Sequence, residues 1–226
     1  MTDPAWTVEE YLERIAMSTV ELVSADDRDA RGVVVTVESG TARCERAFLR
    51  EFLFRMTEDA VDSEVGGTGH GSFCPPAYSG RLHRQPDQVA YLIEPVPGLV
   101  PRPVGVEVEW HALALPVPDG IDAETWAEYG FARAIETVVV RQAAETPAFG
   151  CLVPFHADVL EAGVYVMSGF RGRGIGRVVA GALFDRLDQL GRWCHWVTLA
   201  GNDASQRLGR LARVQVEARI GTYTWP

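Results

Sequence analysis

Arg171-Gly172-Arg173-Gly174-Ile175-Gly176 constrains the fold of this chain more than any other stretch. It comes after Gly163-Val164-Tyr165-Val166-Met167, which its β-branched and aromatic content marks as a strand. From Arg177 the pattern changes. Val179, Leu183, Leu187 and Leu190 recur at spacings of four and three, one stripe of an amphipathic helix, and Gly191 stands where a C-terminal glycine belongs. A glycine loop between a strand and a helix start aims unpaired backbone N–H groups and the positive end of the helix dipole at one point, which suits a diphosphate. Gly174 and Gly176 lack a Cβ, so a phosphate could approach the backbone there. Arg171 and Arg173 can add charge-assisted hydrogen bonds, each worth roughly 1.5–3 kcal/mol. Two other glycine-rich readings fail. A P-loop needs Gly-Lys-Ser/Thr, and the chain contains no lysine. A dinucleotide fingerprint needs a glycine at the position of Arg177. The remaining non-functional reading is a glycine turn with two solvated arginines.

The stretch resembles the acyl-CoA signature of the GNAT N-acetyltransferase superfamily, Arg/Gln-x-x-Gly-x-Gly/Ala, filled here by Arg171, Gly174 and Gly176. The residues downstream agree with it. Trp193 to Ala200 reads as a buried strand, Asn202 as an N-cap with Asp203 in the first turn, and Leu208 and Leu211 mark a short helix. Val214 to Trp225 reads as a final strand pair or hairpin. This order is similar to the C-terminal half of a GNAT domain, where Asn-x-x-Ser/Ala-x-x-Leu comes after the fifth strand; Asn202, Ser205 and Leu208 match. The resemblance is specific over Val138 to Val214. It implies an α/β fold with a central mixed sheet flanked by helices and an elaborated N-terminal part. It implies acetyl-CoA as acyl donor, without a metal. The CoA-binding residues it implies are Val164, Val166, Arg171, Gly172, Arg173, Gly174, Ile175, Gly176, Arg177, Asn202 and Ser205. It further implies that the Val166 backbone N–H polarises the thioester carbonyl, an oxyanion-hole arrangement. Two positions depart from the family pattern. The tyrosine that often protonates the leaving thiolate is here Gly209, and the usual Gly-Phe at the helix end is Arg213-Val214.

Acyl transfer to an amine needs the amine neutral, so a base is useful. In the family it is often a carboxylate on or near the strand before the loop. The candidates are Glu161, Asp158 and His156, with Glu161 the first choice; each could instead be an ordinary hairpin residue. Ser205, Tyr165 and Tyr223 are candidates for a general acid at the sulfur. Cys194 and His195 are adjacent on a strand and face opposite ways, so they form no nucleophile–base pair, and Cys194 reads as a core thiol. Two function classes remain. One is an N-acetyltransferase moving an acyl group from acetyl-CoA to an amine by direct transfer in a ternary complex. The other is a non-catalytic acyl-CoA-binding regulatory or interaction protein, which Gly209 keeps open.

Length and charge bound the rest. The 226 residues provide ample core material, and one GNAT-like domain over 1–226 is expected. Within it, 1–135 would form the acceptor side or an extension and 136–226 the acyl-CoA-binding half. No apolar run nears the ~20 residues of a membrane span. The first residues lack the features of a signal peptide, so a cytoplasmic location and unpaired Cys44, Cys74, Cys151 and Cys194 are expected. The net charge of −10 argues against nucleic acid and leans toward a small cationic amine. The expected partner is a small-molecule amine acceptor, with no nucleic acid and no membrane, and a homodimer is left open. Polyamines, aminoglycoside-like drugs, amino-acid derivatives and protein N-termini all stay open as acceptors.

In the first half, Val8 to Val23 predicts a helix with a stripe of Val8, Leu12, Ile15, Met17 and Val20. Arg31 to Glu38 predicts a strand. Cys44 to Val61 predicts a second helix with Phe48, Phe52 and Met56 on one side. Gly66 to Arg81, with five glycines and two prolines, predicts a loop. Val89 to Ile93 and Val104 to Leu115 predict strands on either side of a proline-rich stretch at 95–103. Ala123 to Ile135 predicts a helix, and Glu136 to Arg141 and Ala148 to Phe155 predict two further strands.

Overall fold

A computed structural model describes residues 6–26, 32–40, 42–49, 52–55, 83–84 and 86–225. The fold is mixed α/β and divides into two compact units. The first is built on Tyr91–Val197 and Asn202–Gln215, the second on Pro4–Ala90, Thr198–Gly201 and Val216–Pro226. Among the described residues no helix is long and apolar enough to cross a membrane.

The second unit opens with helix α1, Val8–Asp26. Thr7 and Glu10 cap it reciprocally: the Glu10 N–H donates to Thr7 Oγ1 at 3.2 Å and the Thr7 N–H donates to Glu10 Oε2 at 2.6 Å. The helix is where the sequence puts it, but the buried face is Tyr11, Leu12, Ile15 and Ala16, while Val8 is 43% exposed. Strands β1 (Gly32–Ser39), β2 (Ala42–Leu49) and β3 (Phe52–Arg55) come next. The helix expected over Cys44 to Val61 is therefore wrong where it is described. Residues 44–49 and 52–55 are strand, paired Val33↔Phe48 and Val37↔Cys44 to β1 and Phe48↔Leu53 across the β2–β3 turn. The four-residue spacing of Phe48, Phe52 and Met56 misled because β1 offers a Val-rich partner strand, and tertiary pairing overrides local preference. The loop expected over Gly66 to Arg81, and with it Cys74, lies outside the described residues. The short β4, His83–Arg84, pairs with β11, the long terminal strand Arg213–Trp225, which also pairs with β1. β11 is thus one continuous strand where a hairpin was one of the options.

The first unit contains β5 (Gln88–Glu94), β6 (Val106–Ala112), α2 (Ala123–Glu128), β7 (Glu136–Gln142), β8 (Glu145–His156), β9 (Val159–Val166), α3 (Ile175–Leu190), β10 (Trp193–Leu199) and α4 (Asp203–Gly209). Its sheet order is β5-β10-β9-β8-β7-β6. β6, β7, β8 and β9 pair antiparallel one to the next, and β9 and β10 pair in parallel. The helix expected over Ala123 to Ile135 stops early. Asp122 caps it by accepting from the Thr125 N–H at 2.7 Å, but the left-handed Gly130 (φ 84°) breaks it, and Phe131–Arg133 form a separate 3₁₀ turn.

The sheet of this unit has two covered faces. On one, α3 buries Val178, Val179, Leu183, Phe184 and Leu187 and packs against β7, β8 and β9. The helix comes so close that a Cβ on Gly150 would sit 2.6 Å from Val179 and 2.8 Å from Val138. Leu190, the last of the expected stripe, is 38% exposed beside the left-handed Gly191 that ends the helix. On the opposite face α2 and the 3₁₀ turn bury Trp126 and Phe131 with Val139, Phe149, Cys151 and Val153. Trp126 and Phe131 stack at 3.9 Å, and Trp126 meets Phe149 edge-on at 5.3 Å.

Candidate active site

Two features of β9 define the site. Toward its end the strand leads through a 3₁₀ turn, Ser168–Phe170, into the glycine loop and α3. Gly172 and Gly174 are left-handed, at φ 76° and 80°, and a Cβ on either would meet nothing within 4 Å. Glycine is needed there for conformation, and the space outside it is open to a ligand. Gly176 plays a different part. Its hydrogens face inward, and a Cβ would lie 3.4 Å from Leu208 of α4 and 3.5 Å from Val166. A methyl group fits at that distance.

The arginines are positioned differently from each other. Arg171 Nε donates to the Val166 carbonyl at 3.1 Å, tying the loop to the strand end. The Arg173 guanidinium stacks over Phe170 at 5.3 Å. Both residues are exposed, as is Arg177, and Ile175 is buried as the first residue of α3. Asn202 caps α4 by accepting from the Ser205 N–H at 3.1 Å, and Ser205 Oγ accepts from Trp196 Nε1 at 3.1 Å. Leu208 brings α4 against the loop at Gly176.

The second feature is the separation of β9 from β10. They pair only through Trp193↔Val159, Cys194↔Leu160 and His195↔Glu161. Beyond that point β9 keeps its β8 partners as far as Val166 and has no β10 partner. The edge of Ala162–Val166 that faces β10, including the expected Val164 and Val166, is therefore not used in that ladder.

Glu161 stands at the end of the pairing. It faces away from α3, together with Val153, Cys151, Gly163 and Tyr165, its neighbours by register and alternation. Burial raises its pKa, and the nearby Arg133 charge works against that rise. His195, buried and stacked on Phe155 at 3.9 Å, has its pKa lowered to about 3 by burial and is neutral across the ordinary pH range. Burial pushes the Cys151 thiol up to about 12 and raises Cys194 as well, so neither is a thiolate nucleophile. Cys44, Cys151 and Cys194 are not disulfide-bonded. Among the described residues no cluster of His, Cys, Asp or Glu could hold a metal ion.

The other candidate bases sit elsewhere. His156 and Asp158 flank the β8–β9 turn, at the opposite end of β9 from the glycine loop. There the Asp158 carbonyl accepts from the Trp193 N–H at 2.9 Å. Tyr165 is drawn to the α2 side, its ring meeting Tyr129 edge-on at 5.3 Å. Nothing is described of the Tyr223 side chain. Gly209 is buried, and a Cβ there would press on Trp196 at 3.0 Å and Tyr91 at 3.2 Å. Two aromatic rings thus fill the space that a tyrosine on α4 would need.

Three residues that sequence reasoning did not single out for the site stand beside Glu161. They are His195 across β10, and Tyr129 and Arg133 around the Gly130 turn. The Tyr129 carbonyl covers Gly163 so closely that a Cβ there would clash with it, and Cys151 Sγ donates to that carbonyl at 3.3 Å. Gly130, inside an apparent helix, was the one local signal of this turn.

Residues 109–211 match the family model described as "Acetyltransferase (GNAT) family". No curated protein matches the chain. Among solved structures, a Drosophila protein aligns at TM-score 0.51 and 11% identity, covering 96% of this chain and 90% of its own. An acetyltransferase from the GNAT family of Colwellia psychrerythraea aligns at TM-score 0.48 and 13% identity, covering 67% of this chain and 62% of its own. A GCN5-related N-acetyltransferase from Kribbella flavida aligns at 0.44 and 15%, covering 66% and 62%. At 11% identity the likeness to the Drosophila protein is one of fold. Residues 109–211 therefore resemble a domain of the GNAT family of acetyltransferases.

Proposed function

We propose that the chain is an N-acyltransferase that moves an acetyl group from acetyl-CoA to an amine, directly, in a ternary complex. One observation carries the reading: the β9–β10 ladder ends at the Glu161↔His195 pair, so a carboxylate stands at the closed end of a gap that opens toward the glycine loop. In this reading the CoA pyrophosphate rests on the backbone N–H groups of Gly172 to Gly176, with Arg171, Arg173 and Arg177 around it. The pantetheine arm pairs with the unused edge of Ala162–Val166 as an added strand would. Asn202 and Ser205 bound the gap from α4.

The chemistry then balances. The amine nitrogen attacks the thioester carbonyl carbon, and the carbonyl electrons move onto oxygen, held by the Val166 backbone N–H. Collapse of this intermediate breaks the C–S bond and yields an amide and a thiolate. The proton lost from nitrogen passes to Glu161, whose raised pKa brings it nearer to neutrality and so makes it a better-matched base. A thiol with a pKa of about 8.5 is a tolerable leaving anion near neutral pH. The absence of a tyrosine at 209 is therefore compatible with turnover, and Ser205 is the hydroxyl on α4 that remains to solvate the sulfur.

A second reading, an acyl-CoA-binding protein without turnover, is favoured by the packing of Gly209 against Trp196 and Tyr91. Release of free thiol from acetyl-CoA in the presence of a panel of amines separates the two. Amine-dependent release supports transfer. Binding of CoA with no release for any amine supports the second reading.

A further inference from the structure

The acceptor's chemistry is written in the charges around Glu161. The carboxylate is partly buried and makes no hydrogen bond or ion pair with a described residue. Such a group is costly to leave alone, which makes it a place for a ligand's cation. The nearest fixed positive charge comes from the 3₁₀ turn Phe131–Arg133. That turn is held against β8 on both flanks. A Cβ on Gly130 would sit 3.0 Å from Val153 Cγ2, and the Ile135 N–H donates to the Leu152 carbonyl at 2.9 Å. Val153 is the cross-strand partner of Glu161. The turn that carries Arg133 therefore lies over β8 on the face that Glu161 shares, and the Arg133 charge reaches the carboxyl group. Its guanidinium is exposed and, like the carboxylate, has no hydrogen-bond or ion-pair partner among the described residues.

An acid and a base on one side of the sheet, neither held by a hydrogen bond or ion pair from a described residue, are complementary to a small zwitterion. We propose that the acceptor is a free α-amino acid, its amine at Glu161 and its carboxylate at Arg133. The proposal rests on the acyl-transfer reading and narrows it. A polyamine or a protein N-terminus offers no carboxylate next to its amine and would leave Arg133 unused. One position further along this face of β9, the Tyr129 carbonyl closes over Gly163, and the Tyr129 and Tyr165 rings form an aromatic wall. An aromatic amino acid is therefore the first probe.

The test uses acetyl-CoA, thiol release, and three matched acceptors: L-phenylalanine, L-phenylalaninamide and 2-phenylethylamine. Rates are compared as kcat/KM per unit of free amine, because the three amines differ in pKa. The wild-type protein should prefer phenylalanine at least tenfold over both others. Arg133→Gln should lower kcat/KM for phenylalanine by about 10- to 100-fold, mainly through KM, the loss expected for one charge-assisted bond. It should leave the other two within about twofold, and Arg133→Lys should recover part of the loss. Equal use of all three acceptors by the wild type, or an equal loss for all three in Arg133→Gln, overturns the proposal while leaving acyl transfer standing. Thiol release with none of them or any other amine, despite bound CoA, removes acyl transfer and this proposal together.

Discussion

Glu161 and His195 face each other as the last pair between β9 and β10, on the face of the sheet opposite α3. Each carries the opposite consequence of burial. The carboxyl is held above its ordinary range and the imidazole is held far below it, so both favour their neutral forms. In the proposed reaction the amine would meet an uncharged imidazole and a carboxyl group whose proton affinity is raised.

The base should be visible in kinetics and in stability together. Glu161→Gln should lower kcat/KM by about 10²–10⁴, with CoA affinity nearly unchanged, and the defect should shrink at high pH, where the amine is already neutral. The same variant should melt higher than wild type above pH 4.5. A carboxyl with a raised folded pKa gives stability that is fully present below its unfolded value of 4.5 and is lost as pH rises through the folded value. Melting curves at pH 4 and pH 8 check the sign. Asp158→Asn and His156→Gln, at the far end of β9, should leave the pH–rate profile as it is.

His195 makes the opposite stability prediction. Its folded pKa of about 3 lies below the ordinary 6.5, so its contribution is complete above pH 6.5 and is lost as pH falls toward 3. The slope for one proton is about 1.4 kcal/mol per pH unit. His195→Phe, which can keep the stack on Phe155, should flatten acid unfolding between pH 6 and pH 4. An unchanged acid transition would show that the imidazole finds water or a partner when protonated.

The two loop arginines should separate by ligand. Arg173→Ala should weaken CoA by about 10- to 100-fold and leave a phosphate-free pantetheine analogue untouched. Arg171→Ala should weaken both, because Arg171 also holds the Val166 carbonyl at the end of the strand. Calorimetric titration of both ligands reads the difference, and an equal loss for both in Arg173→Ala would contradict a phosphate role.

Gly174→Glu should abolish CoA binding, since a charged side chain would project into the open space outside a left-handed residue. The strained backbone costs roughly 1–2 kcal/mol. Gly176→Ala should be nearly silent, because its methyl would point at Leu208 and Val166 rather than at a ligand. Titration with CoA checks both, and equal sensitivity at the two positions would mean that the loop sits differently.

Much of the first unit was legible because its signals are local. The strand–glycine–helix succession at 163–191, the Asn202 cap and the strands around 138 and 150 each arise from a few neighbouring residues. The Cys44 region failed for the opposite reason: what makes it strand is β1, a partner outside its own sequence window. Tyr129 and Arg133 were hidden in the same way, since only the packing of Gly130 against Val153 brings an apparent helix end onto the Glu161 face of the sheet. The splay of β9 from β10 has no signature in either strand, as it is a property of the pair.

Direct transfer is tested most plainly by following the acyl group itself. The protein is incubated with acetyl-CoA labelled in the acetyl carbons, first alone and then with an amine acceptor, and both protein and acceptor are weighed by mass spectrometry. Direct transfer predicts that label appears on the amine only when both substrates are present, and never on Cys151, Cys194 or any other side chain. Label retained on the protein, or acetyl-CoA left intact beside every amine, would contradict it.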